Sequence, residues 1–163
     1  ECAALGVHVI DAPVRGVGAV TSFEHLESQF SPFDYLSEAA RMLAHRGVCF
    51  FTTRTISGFD LQVLWDKTPY IFVPEHLNLL SVEGLRSLVV RVGLDLIELS
   101  TPGQLDLELV LHAADQDPAI RLPSFVDYLL QQRGAEAHAD FQAFLQKHRL
   151  SSHVRVAAAR REE

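Results

Sequence analysis

Glu24-His25-Leu26-Glu27 is the first place along this chain where side-chain types and spacing could do chemistry. An imidazole titrates close to neutrality and can take a proton from a reacting group. Two carboxylates beside it could instead hold a divalent ion. A pair of acids just ahead of a helix is also what the helix dipole favours with no ligand at all. A second imidazole, His76, stands in the run Pro74-Glu75-His76-Leu77-Asn78. We nominate His76 as the first candidate for a general base and His25 as the second. A purely structural His76 bonded to neighbouring backbone is the competing reading. His112, His138, His148 and His153 lack partners at ligand spacing and are expected at the surface or in packing roles.

The periodicity around these residues predicts the elements that must position them. Val17 to Phe23 reads as an apolar strand that breaks into the acidic corner. A helix follows with apolar positions at Phe33, Leu36, Ala40 and Leu43, and Gly47 is expected to supply its left-handed stop. Val48 to Thr53 is then a second apolar strand. A right-handed crossover lays two such strands parallel, and parallel sheets place ligands beyond the carboxyl ends of their strands. Ser22, Phe23 and Glu24 lie at one such end.

Further strands are expected at Val7 to Ile10, Asp95 to Leu99 and Val154 to Ala159. Helices are expected from Ser81 to Val92, near Gln104 to Ala114, Ser124 to Gln132 and Ala135 to His148. Arg54 to Val73 has turn signals and scattered aromatics, and reads as irregular chain folded over something. Gly16-Val17-Gly18 reads as a turn rather than a nucleotide loop, because Thr21 replaces the last glycine of that fingerprint.

The ordered set "VTSFEHLES", "AARMLAHRG", "VCFFTT", "PEHLNLLSVEGLRSLVVRVGLDLIELSTPGQLD" and "SSHVRVAAARR" resembles the class I S-adenosylmethionine-dependent methyltransferases over nearly the whole chain. The family's Glu-His becomes Glu27-Ser28 here, and its Pro-Gly-Gly turn becomes His45-Arg46-Gly47. The resemblance implies an α/β class: a Rossmann-like, doubly wound, mostly parallel sheet with an antiparallel last strand. It implies one methyltransferase-like domain over residues 1–163, the C-terminal two-thirds of the family's fold, with a helical insertion at about 104–148. Val7 to Ile10 would match the family's third strand, so the Gly-rich cofactor loop and ribose-holding acid would not be represented. The chain by itself is then expected not to bind S-adenosylmethionine with ordinary affinity.

The resemblance further implies that Asp11 and Ala12 contact the cofactor's adenine and that Ser22, Phe23 and Glu24 flank its methionine portion. Arg54 to Val73 would lie over a small-molecule acceptor. The first strand of the central unit would present an open edge, through which a homodimer could form. The rival readings are a non-catalytic methyltransferase-like interaction module and another doubly wound enzyme such as a nucleotide-dependent oxidoreductase.

Composition narrows the classes. The chain has 163 residues, 48% of them hydrophobic, enough for one domain with a core. A net charge of -7 opposes phosphate backbones, so nucleic acid is not expected as a partner. The two cysteines, Cys2 and Cys49, make no disulfide framework. No apolar run reaches the length of a membrane span and no signal-peptide pattern opens the chain. A soluble, cytoplasmic protein with no metal is the expectation.

Overall fold

The computed structural model describes residues 2–6, 8 and 12–161. Its centre is a four-stranded sheet formed by β1 (Val17–Phe23), β2 (Leu43–Arg54), β3 (Leu94–Ser100) and β4 (His153–Arg160), in the order β1-β2-β4-β3. β1 and β2 are parallel, and β4 runs antiparallel to both β2 and β3. Three strands therefore point one way and only the last opposes them, as the family resemblance implies. Because that strand is interior, it makes both antiparallel pairings. The expected strand at Val7 to Ile10 lies outside the described residues.

Among the described residues, six α-helices connect and cover the strands: α1 (Pro32–Met42), α2 (Phe59–Leu64), α3 (Val82–Arg91), α4 (Asp106–Gln116), α5 (Ser124–Gln132) and α6 (Ala135–Lys147). α1 starts at Ser31, whose hydroxyl accepts from the Asp34 N–H at 3.2 Å, with Pro32 at the first helical position. Ser81 caps α3 in the same way through the Gly84 N–H at 3.0 Å. Gly93, at φ +82, closes α3.

Two expectations are corrected. α1 ends at Met42, so Leu43 opens β2 rather than closing the helix, and the left-handed residue of the turn is Arg46 at φ +61, not Gly47. Gly47 is needed for a different reason: a Cβ there would sit 3.0 Å from the carbonyl oxygens of Ala44 and Val17. The register slips at this point, Val17 facing Leu43 and Ala19 facing Val48, so 44–47 bulges from the ladder. The stretch from Arg54 to Val73, read as irregular, contains α2. Its six residues are too few for helical periodicity to stand out from the flanking turn residues.

One core lies between the sheet and the pair α1 and α3. It joins Leu36, Ala39, Leu85 and Val89 to Cys49, Phe51, Val154, Val156 and Ala158. A second core holds α2, α4, α5 and α6 together through Leu64, Leu107, Val110, Val126, Leu130 and Leu145. The sheet's other face is partly open, with Phe23 and Ile97 each 62% exposed. None of the helices among the described residues is long and apolar enough to cross a membrane.

Phe51 is fully buried at the sheet's centre, whereas Phe30 is 96% exposed. Phe51→Ala is expected to lower unfolding free energy by about 3–5 kcal/mol. Phe30→Ala should change it by less than about 0.5 kcal/mol. Urea unfolding followed by circular dichroism measures both.

Candidate functional site

The antiparallel register brings the start of β4 to the carboxyl end of β2, with His153 opposite Arg54. β1 ends beside them at Phe23, and the chain turns at Glu24, whose N–H donates to the Thr52 carbonyl at 3.1 Å. Glu24 adopts φ +45, a left-handed conformation that a residue with a Cβ rarely takes. That turn aims its carboxylate at β4, and Glu24 Oε1 lies 3.3 Å from His153 Nδ1.

A cavity of about 510 Å³ opens at this point. Glu24, Arg54, Gly103, Asp106, Ser151 and His153 form its polar wall, and Leu105 and Leu109 its apolar one. Behind it, Arg54 donates to Oδ2 of the fully buried Asp60 at 3.2 Å. Asp106 is held by the Ser152 N–H at 2.8 Å and by the Gln142 amide at 2.6 Å. Gln142 also donates to the Gly103 carbonyl at 2.9 Å, so α6 braces the loop that leads into α4. Three buried polar atoms here lack a hydrogen-bond partner: Arg54 Nε, Asp60 Oδ1 and Ser151 Oγ. Unsatisfied buried polar atoms are uncommon, and two of these three belong to residues that line the cavity, Arg54 and Ser151, which marks it as the candidate site.

Electrostatics follow from the pairing. Burial alone raises the Glu24 pKa, but the hydrogen bonds from His153 and Thr52, with the charges of His153 and Arg54, hold it below the ordinary carboxylate value. The hydrogen bond to Glu24 raises the His153 pKa against the opposing pull of burial. Burial likewise pushes the Asp60 carboxyl up, countered by Ser152 and the Arg54 guanidinium.

The other sequence candidates are placed elsewhere. Gln29 donates its amide to His25 Nε2 at 2.9 Å, which leaves the ring proton on Nδ1, 3.2 Å from Ser28 Oγ. The Phe72 N–H donates to His76 Nδ1 at 2.9 Å, so its proton sits on Nε2. Neither ring lines the cavity. Their loops do meet, since the Glu27 carbonyl accepts from Leu77 N–H at 2.8 Å and Asn78 N–H at 3.0 Å. The Glu27 carboxylate turns inward, accepting from Thr53 Oγ1 at 2.6 Å, and so diverges from Glu24. Ser22 Oγ accepts from Tyr35 Oη at 2.9 Å, Phe23 is exposed at the end of β1, and Ala12 is exposed. Asp11 lies outside the described residues.

His153, read as a surface or packing residue, is corrected to a member of this cavity. Arg54, Asp60, Asp106 and Ser151 were not singled out by the sequence. One signal could have found His153 and Ser151: a final strand running against the others must begin where they end.

The chain matches no protein-family model and no curated protein. Its backbone is similar to several solved structures. One is a Thermotoga maritima S-adenosylmethionine-dependent methyltransferase, a possible histamine N-methyltransferase, with TM-score 0.56, 13% identity, and coverage of 98% of this chain and 66% of that one. Another is geranyl diphosphate methyltransferase in complex with GPP and sinefungin, with TM-score 0.52, 17% identity, and coverage of 93% and 50%. A third is the cyclase SpnF, with TM-score 0.51, 12% identity, and coverage of 95% and 53%. The chain spans about half to two-thirds of the length of these structures. The fold is that of the class I S-adenosylmethionine-dependent methyltransferases, Rossmann-like and α/β.

The pairing of Glu24 with His153 sets a pH dependence. His153's share of stability is full below the ordinary histidine pKa and is lost as pH rises through its raised folded-state value. Glu24's share is present above the ordinary carboxylate value and is lost as pH falls through its lowered one. Both side chains are more than a third exposed, so solvent screens the pair and the stability change is small. Titration of the His153 ring by NMR should give a pKa above an ordinary histidine, and Glu24→Gln should bring it down. An unshifted ring in both proteins rejects the pairing.

Proposed function

We propose that this chain is the acceptor-binding portion of an S-adenosylmethionine-dependent methyltransferase that acts on a small molecule. The observation that carries the reading is the polar cavity at the carboxyl ends of β1 and β2, bounded by Glu24, Arg54 and His153, within a methyltransferase fold. Its volume of about 510 Å³ suits a small ligand rather than a polymer.

The residues present fit one wall of a cofactor site. Phe23 exposes its ring at the end of β1, whose outer edge pairs with no other described strand, and Ser22 lies next to it. Ser22, Phe23 and the Glu24 backbone would hold the methionine side of the cofactor, and Asp11 with Ala12 its adenine side. When bound, S-adenosylmethionine supplies an electrophilic methyl group. This chain's own residues have the remaining tasks of placing the acceptor, keeping water out and receiving a proton.

For the proton, we favour His153. With Nδ1 bonded to Glu24, the ring keeps Nε2 for a proton, and the Glu24 carboxylate stabilises the imidazolium that results. His76 and His25 remain the sequence-based alternatives, each with a ring nitrogen already accepting an N–H. Arg54 and Asp60 act from behind by fixing the cavity wall. In a form of the protein extended to bind S-adenosylmethionine, His153→Ala is expected to lower kcat by about a hundredfold or more while cofactor affinity, measured by calorimetry, stays unchanged. His76→Ala should leave kcat within a few-fold. The opposite pattern returns the role to His76.

The outer edge of β1 also supports self-association. No described strand pairs with it, and it lies beside exposed Thr21 and Phe23, an arrangement that invites strand pairing with a second copy. Size-exclusion chromatography with light scattering should show a dimer at high concentration, and Thr21→Lys should weaken it. A monomer at every concentration excludes it.

A further inference from the structure

Resting on the reading of this cavity as an acceptor site, we propose that the acceptor presents an amine nitrogen, carried as an ammonium when it docks, against Glu24 and Ser151. The first argument is charge. Arg54 is paired with the buried Asp60 at 3.2 Å, so that carboxylate already offsets its charge. Glu24 and Asp106 both line the space, and its cationic groups are Arg54, offset by Asp60, and His153, which is bonded to Glu24 and charged only when protonated. The Asp106 carboxylate is held only by neutral donors, the Ser152 N–H and the Gln142 amide. With His153 protonated or not, the wall keeps surplus negative charge. A carboxylate or phosphate ligand is repelled, and a cation is attracted.

The second argument is independent of charge. Ser151 is fully buried, lines the cavity, and its Oγ has no hydrogen-bond partner. A buried hydroxyl left without a partner is destabilising, and a ligand N–H relieves that cost. Gly103 leaves the room for this hydroxyl, since a Cβ there would lie 2.1 Å from Ser151 Oγ. A small ammonium has several N–H donors, so one can reach the Glu24 carboxylate and another Ser151 Oγ. The apolar body of the ligand then rests on Leu105 and Leu109.

A metal ion fits less well as the cation. No group of three His, Cys, Asp or Glu among the described residues is arranged to hold one. The match is to a primary or secondary amine on an apolar body, such as an arylalkylamine.

The test uses this chain and three probes of one shape: 2-phenylethylamine, 2-phenylethanol and 3-phenylpropionate, titrated at pH 7 and followed by amide and histidine-ring NMR. The amine is expected to give saturable shifts at Glu24, Ser151, Ser152 and the His153 ring, with affinity at least tenfold above the carboxylate. Glu24→Gln should weaken the amine about tenfold and Ser151→Ala several-fold, in proteins whose spectra stay dispersed. Equal or tighter binding of the carboxylate, or amine shifts that avoid these residues, overturns the inference.

The methyltransferase reading fails or stands by a separate measurement, methyl transfer from S-adenosylmethionine. Transfer to an alcohol with refusal of the amine sinks the amine inference alone. Selective amine binding with no methyl transfer by a form of the protein extended to carry the cofactor loop sinks the methyltransferase reading alone.

Discussion

The structure depends on one reversed strand. β4 lies between β2 and β3 and opposes both, so its first residues arrive where the other strands finish. Had β4 been parallel, the start of the strand would sit at the far end of the sheet. Reversal puts Ser151, Ser152 and His153 beside Arg54 and Glu24. Val154, Val156 and Ala158 are fully buried and anchor the strand. Each hydrophobic side chain that fixes its register also fixes the position of His153, because a one-residue slip would turn all of them away from the core.

Around that strand the polar groups form a connected set with an open side. Asp60 and Arg54 satisfy one another only in part, and each keeps an unpartnered atom. A buried pair of this kind contributes little to net stability, and removing one partner is costly. Glu24 adds a strained backbone, held by the Thr52 carbonyl and by the ion pair to His153. Unsatisfied atoms, strain and paired titratable groups thus fall in one place. The core clusters, by contrast, are apolar and closely packed. Uneven satisfaction of this kind is what a ligand site requires.

Fold and function separate at this point. Structures of similar backbone include both methyltransferases and a cyclase, so the sheet order by itself does not define a reaction. What distinguishes this chain is its own wall of side chains: the Glu24 and His153 pair, the Arg54 and Asp60 pair behind it, and the Ser151 hydroxyl under Gly103. The helical core of α2, α4, α5 and α6 carries part of that wall, since Asp60 lies on α2, Asp106 on α4 and Gln142 on α6. Packing of Leu64, Leu107 and Leu145 therefore sets the distances at the site as well as the stability of the helices.

The sequence by itself determined the local elements whose signals are local. Alternating apolar residues mark β3 and β4, and the helix that begins at Ser81 appears as α3, with Ser81 as its cap. The reversal of the last strand was expected only through the resemblance that the ordered motifs bear to a known family. Glu24 was legible because it follows a strand's carboxyl end. Only the tertiary structure decided its partner. Glu24 and His153 are far apart in the chain, and nothing in the spacing of residues joins a strand end to the start of a strand so distant. The same holds for Arg54 with Asp60, where the short helix α2 folds the carboxylate back onto β2. His25 and His76 stood out because local sequence favours residues near other polar residues, and those neighbours turned out to engage their ring nitrogens. Periodicity reports which face a side chain takes on its own element. Which elements come together at that face is set by core packing and strand order, and these depend on the whole chain at once.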